Sequence, residues 1–143
     1  DIMYKNILLA VDLNDEHSWK KALPAACDIA RIDNANLHVL TVIPDFGMSI
    51  VSQYFPEGYE KEIAEKTLGE LKSFVAERVP DGIPVRHIVG EGTVYEIIIR
   101  MADEIKADLI VTAAGRPDLK EYLLGPNAAR VARHSDVSVL IVR

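Results

Sequence analysis

A chain of 143 residues, 49% hydrophobic and 27% charged, is long enough to bury a core and reads as one globular domain over 1–143. Its net charge of −6 excludes the broad basic surface of a general nucleic-acid binder, so a polyanionic ligand must find local positive potential. The lone cysteine, Cys27 in "ALPAACDIA", excludes an intrachain disulfide framework and fits a reducing, cytoplasmic setting, and no apolar run approaches the ~18 residues of a membrane span.

In chain order, the first strand is expected at Asn6–Val11, "NILLAV". A helix over Ser18–Ile32 follows, with Trp19, Ala22, Ala26, Ile29 and Ala30 on one face and a kink at Pro24. The second strand is Asn36–Ile43, "NLHVLTVI". Pro44–Pro56 is unusually apolar for a loop and reads as a lid, an interface or a segment tucked against its own domain. A long helix is predicted over Glu57–Val79 from the spacing of Ile63, Thr67, Leu71, Phe74 and Val75. Val85–Val89 is the third strand, and Thr93–Lys106 a helix opened by a capping box, Thr93 to Glu96. Asp108–Ala113 and Val137–Val142 complete the strands, with a short helix at Asn127–His134 between them. Continuous apolar strands alternating with helices imply βαβ crossovers, hence a doubly wound parallel sheet covered on both faces.

In such a sheet ligands bind beyond the carboxyl ends of the strands, where strand order reverses. No GxxxxGK[ST] loop is present. "GEGTVY" at Gly90–Tyr95 follows a strand and opens a helix, but Tyr95 stands where a dinucleotide fingerprint has its third glycine, so a structural turn competes with a phosphate contact. His134-Ser135-Asp136 are sequence neighbours and cannot form a spatial triad. His87 and Glu91 lack a third metal ligand, and His38 reads as a satisfied structural histidine. "GRPDLKEYLLGPN" at Gly115–Asn127 is the strongest anion candidate. Its glycines permit close approach, and Gly125-Pro126 suits a helix start whose free N–H groups favour anions. Arg116, Lys120 and Arg130 offer positive charge; Asp118 and Glu121 oppose it or hold Mg²⁺ through water.

Four blocks, "YKNILLAVDLND", "LHVLTVIP", "VGEGTVYEII" and "ADLIVTAAGRPDLKEYLLGPNAARVARHSDVSVLIVR", resemble the universal stress protein family, in its small single-domain bacterial form. The resemblance implies a five-stranded Rossmann-like parallel sheet in the order 3-2-1-4-5, related to the adenine nucleotide alpha hydrolases. It also implies a homodimer paired through the edge strand Val137–Val142, and a regulatory protein partner of unknown identity. It further implies ATP or AMP, possibly with Mg²⁺, held by Asp12 at ribose, Val42 at adenine and the glycine loop at phosphate. The carried-over positions are Ala10, Asp12, Val42, Thr112, Ala113, Gly115, Arg116, Gly125, Pro126 and Asn127. Three departures stand out. The loop's first glycine falls on Thr112 or Ala113, its Ser/Thr position is Pro126, and the strand-1 proline is Ala10. The expected function is a dimeric, nucleotide-binding stress-response module, with hydrolysis at most slow and incidental. The alternative is a dimeric regulator that binds no nucleotide.

Overall fold

The computed structural model describes residues 3–43, 59–115 and 126–143. Apolar, β-branched runs form β1 (Asn6–Ala10), β2 (Asn36–Ile43), β3 (Val85–Glu91), β4 (Leu109–Ala113) and β5 (Ser138–Val142). Between them lie α1 (Ala22–Asp33), α2 (Tyr59–Arg78), α3 (Val94–Glu104) and α4 (Pro126–His134). The strands form one parallel sheet in the order β3-β2-β1-β4-β5, as the family resemblance implies. The Pro44–Pro56 loop and the first residues of the expected Glu57–Val79 helix lie outside the described residues.

Alternation along the strands splits the core in two. Ile7, Leu9, Leu37, Val39 and Val111 pack with Ala26, Ala30, Leu71 and Phe74 of α1 and α2. Leu8, Leu40 and Ile110 pack with Ile97, Ile98 and Ala102 of α3 and Val131 of α4. Cys27 is buried in the first layer, where burial pushes its thiol pKa up, so it behaves as a small apolar side chain. Among the described residues no helix is long and apolar enough to cross a membrane.

Carboxylates fix the start of β1. Asp108, just ahead of β4, accepts the Lys5 N–H at 2.8 Å and the Asn6 N–H at 3.0 Å. Asp33, at the end of α1, accepts the Tyr4 N–H at 3.0 Å. These contacts tie β1 to its later neighbour and to the first helix, and so set the register of the central strand.

Local chemistry moved three sequence expectations. The first helix begins at Ala22 rather than Ser18, because Pro24 has no N–H to give the Lys20 carbonyl. Instead Glu16–Ser18 forms a 3₁₀ turn capped by Asp15, and Pro24 sits in the first turn of α1, not at a kink. Thr93 occupies the N-cap of α3 with extended backbone, but its side chain makes no capping hydrogen bond. The Tyr95 hydroxyl donates to Glu96 Oε1 at 3.4 Å, and the expected capping box is not formed. His38 is structural but only half satisfied. Its Nε2 meets Asn6 Oδ1 at 3.3 Å, while the buried Nδ1 has no hydrogen-bond partner among the described residues.

Removing the Asp108 carboxylate leaves two strand-initiating N–H groups to water, so Asp108→Ala is expected to cost about 1–3 kcal/mol in a denaturant melt. A loss below about 0.3 kcal/mol would show that β1 is not anchored there. His38 gives a pH signature. Burial, and next the charge of Arg86, holds its imidazole below the ordinary 6.5. His87 is lowered by burial and then by Lys72. Below pH 6.5 the unfolded chain therefore takes up protons that the folded chain resists, so the stability these groups contribute is complete above 6.5 and lost as pH falls. The slope of stability between about pH 7 and pH 5 should flatten in the His38→Gln, His87→Gln double variant; an unchanged slope would exclude these residues as its source.

Candidate functional site

From β1 the chain crosses to β2 on one side, and β4 lies against β1 on the other. A crevice opens between the carboxyl ends of β1 and β4, the place where open parallel sheets take ligands. Here it is a cavity of about 280 Å³. Its floor is Ala10, Thr112 and Ala113, and one wall is apolar, built from Leu40, Val42, Val94 and Ile98. Asp12, Asp15 and Ser18 form a polar rim, and Gly115 with the first turn of α4 closes the remaining side. One end therefore suits a planar apolar group and the other a hydrogen-bonding one.

The β1–α1 loop folds on itself through its short polar side chains. Asp12 Oδ1 accepts the Asn14 N–H at 2.9 Å, an Asx turn that aims the carboxylate. Asp15 Oδ1 accepts the His17 N–H at 3.1 Å and caps the 3₁₀ turn. The Ser18 hydroxyl accepts the Asp12 N–H at 2.8 Å. Trp19 then carries the chain into the core, edge-on to Phe74 with ring centroids 5.2 Å apart, under the Arg78 guanidinium at 4.6 Å.

On the opposite side, α4 begins at Pro126, whose fixed φ suits the first helical position. Its first turn holds no acidic residue, so the positive end of the helix dipole is unopposed from within that turn. Pro126 has no N–H, so the first-turn donors that line the cavity, without intrahelical partners, are those of Asn127 and Ala128. Gly115 has a φ of 134°, a conformation that side chains rarely adopt, and it brings bare backbone to the rim. Among the described residues lining the cavity the charged side chains are the carboxylates of Asp12 and Asp15. Arg130 stacks over the Tyr95 ring at 5.1 Å, between α4 and α3, and is absent from that lining. Arg116, Asp118, Lys120, Glu121 and Gly125 lie outside the described residues.

The other sequence candidates stand apart. Gly90 and Gly92 press on Ile97: a Cβ at Gly90 would collide with its Cγ2, and one at Gly92 would lie 3.2 Å from its Cδ1. Neither lines the cavity, which favours the turn reading of "GEGTVY". His134 lies beside the Tyr95 ring at 6.2 Å, and the Ser135 hydroxyl bonds the Val137 backbone, so "HSD" is turn chemistry. No group of three His, Cys, Asp or Glu side chains able to hold a metal occurs among the described residues.

Comparison with known proteins decides the family. The universal stress protein family model matches residues 3–143. The chain belongs to that family. Universal stress protein G of Salmonella typhimurium is 28% identical over 99% of this chain and 100% of its own length. The universal stress protein UspA of Lactobacillus plantarum superposes with a TM-score of 0.75 at 24% identity, covering 100% of both chains. A universal stress protein solved in complex with cAMP superposes with a TM-score of 0.66 at 27% identity, covering 98% of this chain and 97% of that one.

In this universal stress protein the fold brings Ala10, Asp12, Val42, Thr112, Ala113, Gly115, Pro126 and Asn127 to a single cavity, though they span four elements and two loops. Sequence reasoning missed Val11, Asp15, Ser18, Leu40, Val94, Ile98 and Ala128. Leu40 was within reach, lying two residues before Val42 on the same strand face. The Asp and Ser of "DLNDEHS" carry a turn signal, which the helix expected from Ser18 hid. In the family member at hand Gly90 serves packing, so Gly90→Ala should destabilise by about 1–3 kcal/mol through overpacking. Adding Ile97→Ala should make the pair less costly than the sum of the singles; strict additivity would show that Ile97 is not the obstacle.

Proposed function

We propose that this universal stress protein binds an adenine nucleotide in the cavity between β1 and β4. The observation that carries the reading is the juxtaposition of the Asp12 carboxylate, an apolar wall and a helix N-terminus around one cavity. Adenine packs on Val42 and Leu40, the ribose hydroxyls donate to Asp12, and the phosphates meet Gly115, Asn127 and the start of α4. The cAMP complex of a 27% identical relative supports the same ligand class. Arg116 and Gly125, carried over from the family pattern, complete the phosphate end in this reading. The chain acts as one domain, consistent with a family match over residues 3–143. A copy pairs with a second through the outer edge of β5, whose Val139, Leu140, Ile141 and Val142 are only half-buried.

A specific observation also favours a second reading, a dimeric regulator without nucleotide. Pro126 lacks both the hydroxyl and the N–H of the family's Ser/Thr position, and Asp15 adds a second carboxylate to the rim. Each missing hydrogen bond to charged phosphate is worth roughly 1.5–3 kcal/mol.

Calorimetric titration separates the two. AMP and Mg·ATP should bind the wild-type chain, Asp12→Ala should weaken both about tenfold or more, and Pro126→Ser should tighten ATP about tenfold. No heat with either nucleotide, and none gained in Pro126→Ser, would leave the nucleotide-free reading.

A further inference from the structure

The Asp12 carboxylate sits exposed at the rim. The backbone that carries it is fixed by hydrogen bonds that converge on one hydroxyl. Ser18 Oγ accepts the Asp12 N–H at 2.8 Å and lies 3.0 Å from the Asp12 carbonyl and 2.7 Å from the Asp15 carbonyl. With one proton to donate, it serves the two carbonyls in turn, and the shorter contact is to Asp15. A single side chain thus closes the loop from residue 12 to residue 18 across its mouth. The hydroxyl is itself held: the next residue, Trp19, lies against Phe74 and Arg78, and its backbone N–H reaches the Glu16 carbonyl at 3.2 Å. Asn14 N–H occupies Asp12 Oδ1 at 2.9 Å, and Oδ2 has no hydrogen-bond partner among the described residues.

We infer that Ser18 is a positioning residue that fixes Asp12 for the ribose hydroxyls, and that this loop makes the site selective for ribose over sugars lacking both of them. The inference rests on the nucleotide reading above and assigns part of its specificity to a residue outside the family pattern. A ribose hydroxyl binds a carboxylate well only when both partners are held within a few tenths of an ångström, so orientation here acts as affinity. Without the Ser18 hydroxyl the Asp12 N–H loses its partner, the loop relaxes, and the carboxylate samples directions that miss the ribose hydroxyls. A base and phosphate held elsewhere in the cavity do not sense this change.

The test compares AMP with its dideoxy analogue, which lacks both ribose hydroxyls, on wild type, Ser18→Ala, Ser18→Thr and Asp12→Ala by calorimetry. Unchanged Trp19 emission and melting temperature certify that each variant is folded. Ser18→Ala should weaken AMP about fivefold to tenfold and the dideoxy analogue by less than about twofold. Ser18→Thr, which keeps the hydroxyl, should recover most of the AMP affinity, and Asp12→Ala should abolish the preference for AMP. Equal loss for both ligands in Ser18→Ala, or no loss for either, would overturn the positioning role. Equal binding of both ligands to wild type would overturn the ribose-hydroxyl inference while leaving nucleotide binding intact. Binding of neither to wild type would overturn the nucleotide reading and this inference with it.

Discussion

The register of β1 between β2 and β4 is the constraint on which the rest of the molecule depends. Ile7, Leu8 and Leu9 are fully buried, so a slip by one residue would turn each of them toward the wrong layer. The carboxylates of Asp33 and Asp108 hold the amino end of β1 by its own N–H groups. At the other end the Val11 N–H still reaches the Leu40 carbonyl at 2.9 Å, and only then is the chain released into the loop that carries Asp12. Asp12 therefore arrives at the crevice because the strand below it cannot move. The same register sets Ala10 beside Leu40, and the start of α4 closes over β4 from the far side.

Two opposed electrostatic contributions meet in the cavity. The N-terminus of α4 and the bare backbone at Gly115 favour anions, whereas Asp12 and Asp15 repel them within a chain of net charge −6. The apolar wall is indifferent to both. In the proposed nucleotide reading, affinity comes chiefly from packing of the base on the aliphatic wall and from ribose hydrogen bonds, with the phosphate end contributing least because Pro126 removes a donor there. Screening by salt acts on exposed charges most, so the repulsion by the exposed Asp12 weakens at high ionic strength.

Much of this architecture was legible in the sequence because it rests on period and composition. Continuous runs such as "NILLAV" and "DLIVTA" declare strands covered on both faces, and both occupy the centre of the sheet. What the sequence concealed depends on single atoms in space. Pro24 suggested a kink, yet its missing N–H instead delays the start of α1 and frees Ser18 for the loop. "TVYE" has the residues of a capping box, but Tyr95 engages Glu96 and Thr93 makes no side-chain cap. Arg130 promised charge for phosphate, whereas its guanidinium is spent on the face of Tyr95. Asp15 and Ser18 reach the cavity only because the loop doubles back, a consequence of hydrogen bonds that no spacing rule reveals.

That the cavity between β1 and β4 receives the base, ribose and phosphate of a nucleotide is most directly tested by amide NMR on the uniformly labelled chain during addition of AMP. The amides of Asp12, Gly115, Asn127 and Ala128 should shift together and saturate along one binding curve. No saturable shift at any amide, or saturation confined to the groove that Leu13 and Asn14 form with Gly69 and Ser73 of α2, would contradict it.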